Sequence, residues 1–255
     1  MIIFNVDMDN TVIYSYKHDI GNEKKCAEIY EGREISFITY KTQEMLREIS
    51  ENVLVIPTTT RTREQFERID LGIGSLKYYM VCNGGVLIVD GEEDEEWYKE
   101  SQKLIEASYE ELRKAVVLLE EDPNRSLDVR FLRELFVYTK SDKPLETMKM
   151  LEESLDTSVV DVMNNGVKIY VVPKNLSKGK AVERLKERLG ATKVIAAGDS
   201  LFDISMLQIA DIGIAPSELE FEKIKDNQVI RVAEEYLFSE KVMESVKAVM
   251  TSTEL

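Results

Sequence analysis

The stretch FNVDMDNTV, Phe4 to Val12, decides the fold. It completes an unbroken apolar run, MIIFNV, of the kind that forms a strand covered on both faces. The run stops at two aspartates one residue apart, Asp7 and Asp9. Carboxylates are costly beside a core unless they are paired, hydrogen-bonded or bound to a metal. Side chains at i and i+2 of an extended segment point the same way. In an open α/β sheet, ligands collect outside the carboxyl ends of the strands. Both aspartates therefore project into that crevice, although alone they read equally well as turn residues capping the next segment.

The same device recurs near the other end of the chain. In VIAAGDSLFD, Val194 to Asp203, Asp199 ends a second apolar strand and Asp203 follows at a helix entry. Alone, Asp199 or Ser200 also reads as a helix cap. Several carboxylates converging on one crevice repel one another and need a divalent cation, and oxygen-rich ligation favours Mg²⁺. In VIPTTTRT, Val55 to Thr62, hydroxyls end a third core strand, either to bond phosphate oxygens or to cap the next helix. In NLSKGKAVERL, Lys178 stands where a loop enters a helix. Most helix lysines are solvated, but a carboxylate-rich site handling phosphate requires a cation to offset charge.

Acidic pair, strand-end threonine, lysine, acidic pair: in this order the sequence resembles the haloacid dehalogenase superfamily of phosphatases and phosphotransferases, over nearly the whole chain. Its D-x-D-x-T motif falls on Asp7, Asp9 and Thr11. The Ser/Thr motif falls on Thr59, with Thr58 the fallback, and the lysine motif on Lys178. The G-D-x-x-x-D motif falls on Gly198, Asp199 and Asp203. The family commonly has Gly where Asn10 stands and Thr-Gly-Arg where Thr59, Thr60 and Arg61 stand, and Phe202 takes a place often held by Asn. The resemblance implies a doubly wound, Rossmann-like parallel sheet at 1–83 and 173–255, with an inserted α+β cap of the type-two kind at 84–172. The cap is entered through CNGG, with Asn83 its second residue.

It also implies roles. Asp7 is the nucleophile and forms an aspartyl-phosphate. Asp9 is the acid and then the base. Thr59 and Lys178 hold and neutralise the phosphoryl group. Asp7, the backbone carbonyl of Asp9, Asp199 and Asp203 hold Mg²⁺, with Asp203 acting through water or by orienting Lys178. Asn10, Thr60, Arg61 and Asn83 are the positions expected to touch substrate. The expected activity is hydrolysis of a small phosphorylated metabolite such as a sugar phosphate. A phosphomutase or phosphotransferase of the same fold, or a non-enzymatic phospho-aspartate receiver or regulatory protein, are the alternatives.

The rest of the sequence bounds this reading. In 255 residues, 48 acidic against 33 basic side chains give a formal charge of −15. A general basic field for nucleic acid or anionic membrane is absent, so neither partner is expected. Cys26 and Cys82 show no ligand-like spacing and are expected as thiols in a cytoplasmic protein with no signal peptide. His18, the single histidine, excludes a His–His metal site and is expected at the surface.

Between the motifs, the spacing predicts a helix over 41–51 with Met45, Leu46 and Ile49 on one face. Within the irregular 14–39 it allows two short strands turning at Glu31-Gly32. It predicts one long helix from about Glu96 to Glu120, with Trp97 and Tyr98 packed under it, and a hairpin turning at Asn165-Gly166.

Overall fold

A computed structural model describes residues 1–222 and 227–253. The chain divides into two compact units, residues 1–93 with 178–255, and residues 94–177. In the first, β1 (Ile2–Val6) is followed by β2 (Tyr14–Ser15), β3 (Lys24–Tyr30), β4 (Arg33–Thr39), α1 (Tyr40–Ser50), β5 (Leu54–Pro57) and α2 (Arg63–Phe66). A hairpin, β6 (Tyr78–Val81) and β7 (Val86–Val89), then leads through β8 (Glu92–Glu93) to the second unit. That unit contains α3 (Glu95–Leu104), α4 (Tyr109–Glu121), β9 (Arg130–Leu132), β10 (Phe136–Lys140), α5 (Pro144–Ser154), β11 (Val160–Asn165) and β12 (Lys168–Pro173). The chain returns to the first unit with α6 (Lys178–Leu189), β13 (Lys193–Ala197), α7 (Ile204–Ile209), β14 (Ile212–Pro216), β15 (Gln228–Val232) and α8 (Phe238–Thr253).

The core sheet has five parallel strands in the order β15-β14-β13-β1-β5. Ile3, Phe4 and Val6 of β1 are fully buried, as a strand paired on both edges and covered on both faces requires, and Asn5 is buried with them, its Nδ2 donating to Thr58 Oγ1. Helix α1 buries Met45, Leu46 and Ile49 as its spacing dictates, and Thr39 caps it by accepting from Thr42 N. It packs against α8, where Thr42 Oγ1 meets Ser239 Oγ at 2.9 Å. Helices α6 and α7 form a second packed pair. The last strand, β15, lies at the edge of the sheet, with Gln228 and Arg231 exposed and Val232 buried.

Two smaller antiparallel sheets belong to this unit. Segment 14–39 forms the sheet β2-β4-β3, with the expected turn at Glu31 (φ 50°) and Gly32 (φ 73°). Strands β6, β7 and β8 form the other, joined to the end of β5 by a bridge between Thr58 and Met80. That pairing explains why the division falls later than the expected 84–172: Val86–Val89 ladders onto Tyr78–Val81 and stays with the core unit.

The inserted unit has a four-stranded antiparallel sheet, β11-β12-β10-β9, packed with α4 and α5. The single helix expected from Glu96 to Glu120 is in fact two. Ile105, fully buried, leaves helical geometry (φ −100°, ψ 4°), and a short 3₁₀ turn, Glu106–Ser108, redirects the chain into α4. The apolar spacing runs through this break, so the pattern alone hides it. Trp97 is buried, and the Tyr98 hydroxyl donates to the Arg133 carbonyl at 2.9 Å. Gly166 (φ 59°) makes the expected turn between β11 and β12. No helix among the described residues is long and apolar enough to cross a membrane.

Candidate active site

Parallel pairing builds the site's floor. β1 and β13 run in register to Val6 opposite Ala197. Asp7 and Asp199 follow just past those partners, and Asp7 N still donates to Ala197 O at 3.0 Å. The chain then turns sharply, with Thr11, Val12 and Ile13 all donating to the Met8 carbonyl. Asn10 takes φ 59°, a left-handed conformation that Asn tolerates better than most residues, which explains how it stands where the family has Gly. The turn aims Thr11 Oγ1 at Asp199 Oδ1, 3.2 Å away.

Two glycines bring in the other charges. A Cβ on Gly198 would lie 2.3 Å from Asp203 Cβ, so only glycine lets Asp203 fold back against the strand end. A Cβ on Gly179 would lie 2.5 Å from the Ser205 carbonyl oxygen, so only glycine lets α6 approach α7 this closely. Lys178, at the head of α6, therefore reaches inward. Its Nζ donates to Asp7 Oδ1 at 2.5 Å and Asp203 Oδ1 at 2.6 Å, and it is only 1% exposed. Asp203 Oδ2 accepts from Ser200 N and Ser200 Oγ.

Burial works to lower the Lys178 pKa, but Asp203 and Asp7 outweigh it and the net shift is upward. Burial raises Asp7 well above the usual carboxylate range, against the pull of Lys178. Asp199 is pushed up to about 6 by burial and by Asp203. One oxygen from each of Asp7, Asp199 and Asp203 lies within 4.8 Å of the other two. An all-oxygen set with more negative charge than Lys178 neutralises fits a hard divalent cation such as Mg²⁺.

The Asp9 side chain takes a different partner. Its carboxylate, half exposed, is held by Arg61, with Nε to Oδ2 at 2.8 Å and Nη2 to Oδ1 at 2.7 Å. It is not part of the three-carboxylate group, so only its backbone oxygen remains for the expected metal role. Arg61 Nη1 donates to Glu28 Oε2 at 2.9 Å and to the Gln65 carbonyl at 3.2 Å. The Asp9 and Glu28 carboxylates raise its pKa in spite of burial. Glu28, on β3, and Arg68, bonded to it, are the site-proximal residues that sequence reading missed. No motif marks one glutamate or one arginine in so charged a chain.

Thr59 is fully buried at the end of β5, its Oγ1 accepting from Arg61 N at 3.2 Å. Thr58, the fallback, is engaged in the fold: it accepts from Asn5 Nδ2 and donates to Ile56 O, both at 3.1 Å. Thr60 is half-buried. Asn83 (φ 59°) is buried in the CNGG turn, whose Cys82 and Asn83 N–H groups donate to Arg61 O and Thr59 O. Beside Asp199 lies a cavity of about 650 Å³, lined among others by Tyr14, His18, Asp19, Glu218, Glu234 and Phe238.

The family model for haloacid dehalogenase-like hydrolases matches residues 89–218, a span that includes Lys178, Asp199 and Asp203. The chain belongs to that family. Among relatives of the haloacid dehalogenase-like hydrolase, a phosphoglycolate phosphatase of Methanopyrus kandleri is 31% identical over 53% of this chain, and the match spans 57% of that protein's length. Another, from Sulfurisphaera tokodaii, is 30% identical over 70% of this chain and 72% of its own. The fold is that of the sucrose-phosphatase of Synechocystis sp. PCC6803, with TM-score 0.64, 97% coverage of both chains and 13% identity. It is also that of Thermoplasma acidophilum 0175, with TM-score 0.59, 14% identity and 98% and 99% coverage.

Proposed function

We propose that this haloacid dehalogenase-like hydrolase is a metal-dependent phosphomonoester hydrolase that works through a phosphorylated Asp7. The observation that carries the reading is the Lys178 ammonium bridging Asp7 and Asp203 beside Asp199. That arrangement supplies a nucleophilic oxygen, a fixed cation and a carboxylate set for Mg²⁺ at one strand edge.

In the first step an Asp7 oxygen attacks phosphorus as the bond to the leaving oxygen breaks, and Asp9 delivers a proton to that oxygen. In the second step Asp9 takes a proton from water, whose oxygen attacks phosphorus and releases Asp7 and inorganic phosphate. Lys178 offsets charge on the phosphoryl oxygens, and Thr59 holds one of them. Asp7, the backbone carbonyl of Asp9, Asp199 and Asp203 would hold Mg²⁺, which would supply positive charge that weakens the repulsion between phosphate and nucleophile. Asn10, Thr60, Arg61 and Asn83 are the positions assigned to substrate contact in this reading.

The substrate class is a small phosphorylated metabolite. Relatives carrying the name phosphoglycolate phosphatase, and sugar-phosphate phosphatases sharing the fold, support it. Two thiols outside any disulfide support a reducing, cytoplasmic setting. The test is phosphate release from phosphoglycolate, sugar phosphates and nucleotides, with Mg²⁺ and with chelator. No release from any of them, with folded protein and Mg²⁺ present, overturns the reading.

A further inference from the structure

Glu28 is a carboxylate with no place in the chemistry above, yet it is 1% exposed and fully engaged. It stands on β3 where the pairing with β4 shifts register on either side of it. Such a bulge re-aims a side chain, and here it turns a glutamate inward from a strand whose next residues, Ile29 and Tyr30, are exposed. Oε2 accepts from Ser36 Oγ at 2.8 Å and Arg61 Nη1 at 2.9 Å. Oε1 accepts from Arg68 Nε at 3.1 Å and Nη2 at 2.9 Å. A guanidinium is planar, with its donors in a fixed fork. Once Nη1 is tied to Glu28 and to the Gln65 carbonyl, the plane of Arg61 is set, and with it the direction of the Nε/Nη2 edge that grips both oxygens of Asp9.

We propose that Glu28 is a positioning residue for Asp9, acting through Arg61. The small sheet formed by segment 14–39 thereby gains a catalytic purpose: it carries the anchor that orients the proton-transfer group. This rests on the reading of Asp9 as acid in the first step and base in the second.

That double role gives a signature that a general structural defect does not produce. p-Nitrophenolate leaves without needing a proton, so the first step on p-nitrophenyl phosphate is insensitive to Asp9, while the second step still needs it. Glu28→Gln keeps the shape but removes the charge that holds Arg61. Stopped-flow mixing of this variant with p-nitrophenyl phosphate and Mg²⁺ is expected to show a burst of p-nitrophenol at the wild-type rate within about threefold, followed by turnover slowed about tenfold or more. Phosphoglycolate is expected to show the slowing with no burst. Ser36→Ala is expected to give a weaker form of the same pattern, and Arg61→Lys, which cannot grip both oxygens, to slow the second step at least as much as Glu28→Gln.

Burst and steady state slowed together, or neither slowed, in a Glu28→Gln protein with wild-type circular dichroism overturns the proposal. Where Glu28→Gln does not fold, Ser36→Ala decides by the same readout. A wild-type protein that hydrolyses neither ester overturns the hydrolase reading and this role with it. A wild-type enzyme that hydrolyses both, with variants lacking the burst, overturns the role of Glu28 alone.

Discussion

The ionic clusters around Lys178 and around Glu28 are built on opposite principles. One ammonium, Lys178, bridges Asp7 and Asp203, and a third carboxylate, Asp199, lies beside them. Around Glu28, two carboxylates, Glu28 and Asp9, share two guanidiniums, Arg61 and Arg68. The second cluster is balanced, and its Glu28 oxygens have all the donors they need. The first is short of positive charge, which is why burial and mutual repulsion push Asp7 and Asp199 upward there. A deficit of charge in a buried oxygen-rich group marks where a dication belongs, and a balanced group marks where geometry is being held. The same kind of residue serves the two purposes, and the count of partners tells them apart.

The comparison breaks most severely at Asp7. Asp7→Asn is expected to reduce turnover by at least about 10³-fold, since the proposed nucleophile is removed, while circular dichroism stays that of the wild type. Retained activity sinks the nucleophile assignment. Next, Lys178→Met leaves Asp7 and Asp203 buried with no ammonium between them. Removing one partner of a buried pair costs about 3–5 kcal/mol, so urea unfolding in chelator is expected to show a destabilisation of that order. Unchanged stability makes the ammonium dispensable to the fold.

Metal addition sharpens the contrast between the clusters. Magnesium at about a hundred times its Kd is expected to stabilise the wild type by about 2.7 kcal/mol. Asp199→Asn is expected to lose most of that, and Arg68→Ala to keep it. A thermal melt with and without Mg²⁺ decides, and equal stabilisation in both variants removes the metal from the first cluster. The smallest effect concerns the adjacent threonines. Thr58→Val is expected to cost about 1 kcal/mol of stability through the lost Asn5 bond, with turnover unchanged. Thr59→Ala is expected to lower kcat/KM by about tenfold with little loss of stability. Equal kinetic effects at both positions erase the distinction between them.

Much of this was legible along the chain. The apolar runs before Asp7, Thr58 and Asp199 announced buried parallel strands, because a strand covered on both faces has no polar alternation to show. Lys178 followed by Gly179 marked a cation at a helix entry. Other features left no local trace. β15 is a short edge strand whose apolar residues, Val229, Ile230 and Val232, are interrupted by the exposed Arg231. The break at Ile105 keeps its apolar residue buried, so helical spacing continues across it. Nothing in the sequence sets Glu28 apart from the other glutamates, and the bulge that turns it inward shows only in the strand pairing.

By itself, the sequence determined which strands are buried, where they stop, and that acidic residues stand at those stops. These are local matters of hydrophobic pattern and of the few residues that tolerate a turn, such as Asn10 at φ 59°. Only the tertiary structure decided which carboxylate faces which cation. It divided four site aspartates into three around Lys178 and one on Arg61, and it recruited Glu28 and Arg68 from segments with no motif. The reason is that electrostatic partnership depends on distance and burial in three dimensions, and residues far apart in the chain acquire both only when strand register and close helix approach fix them.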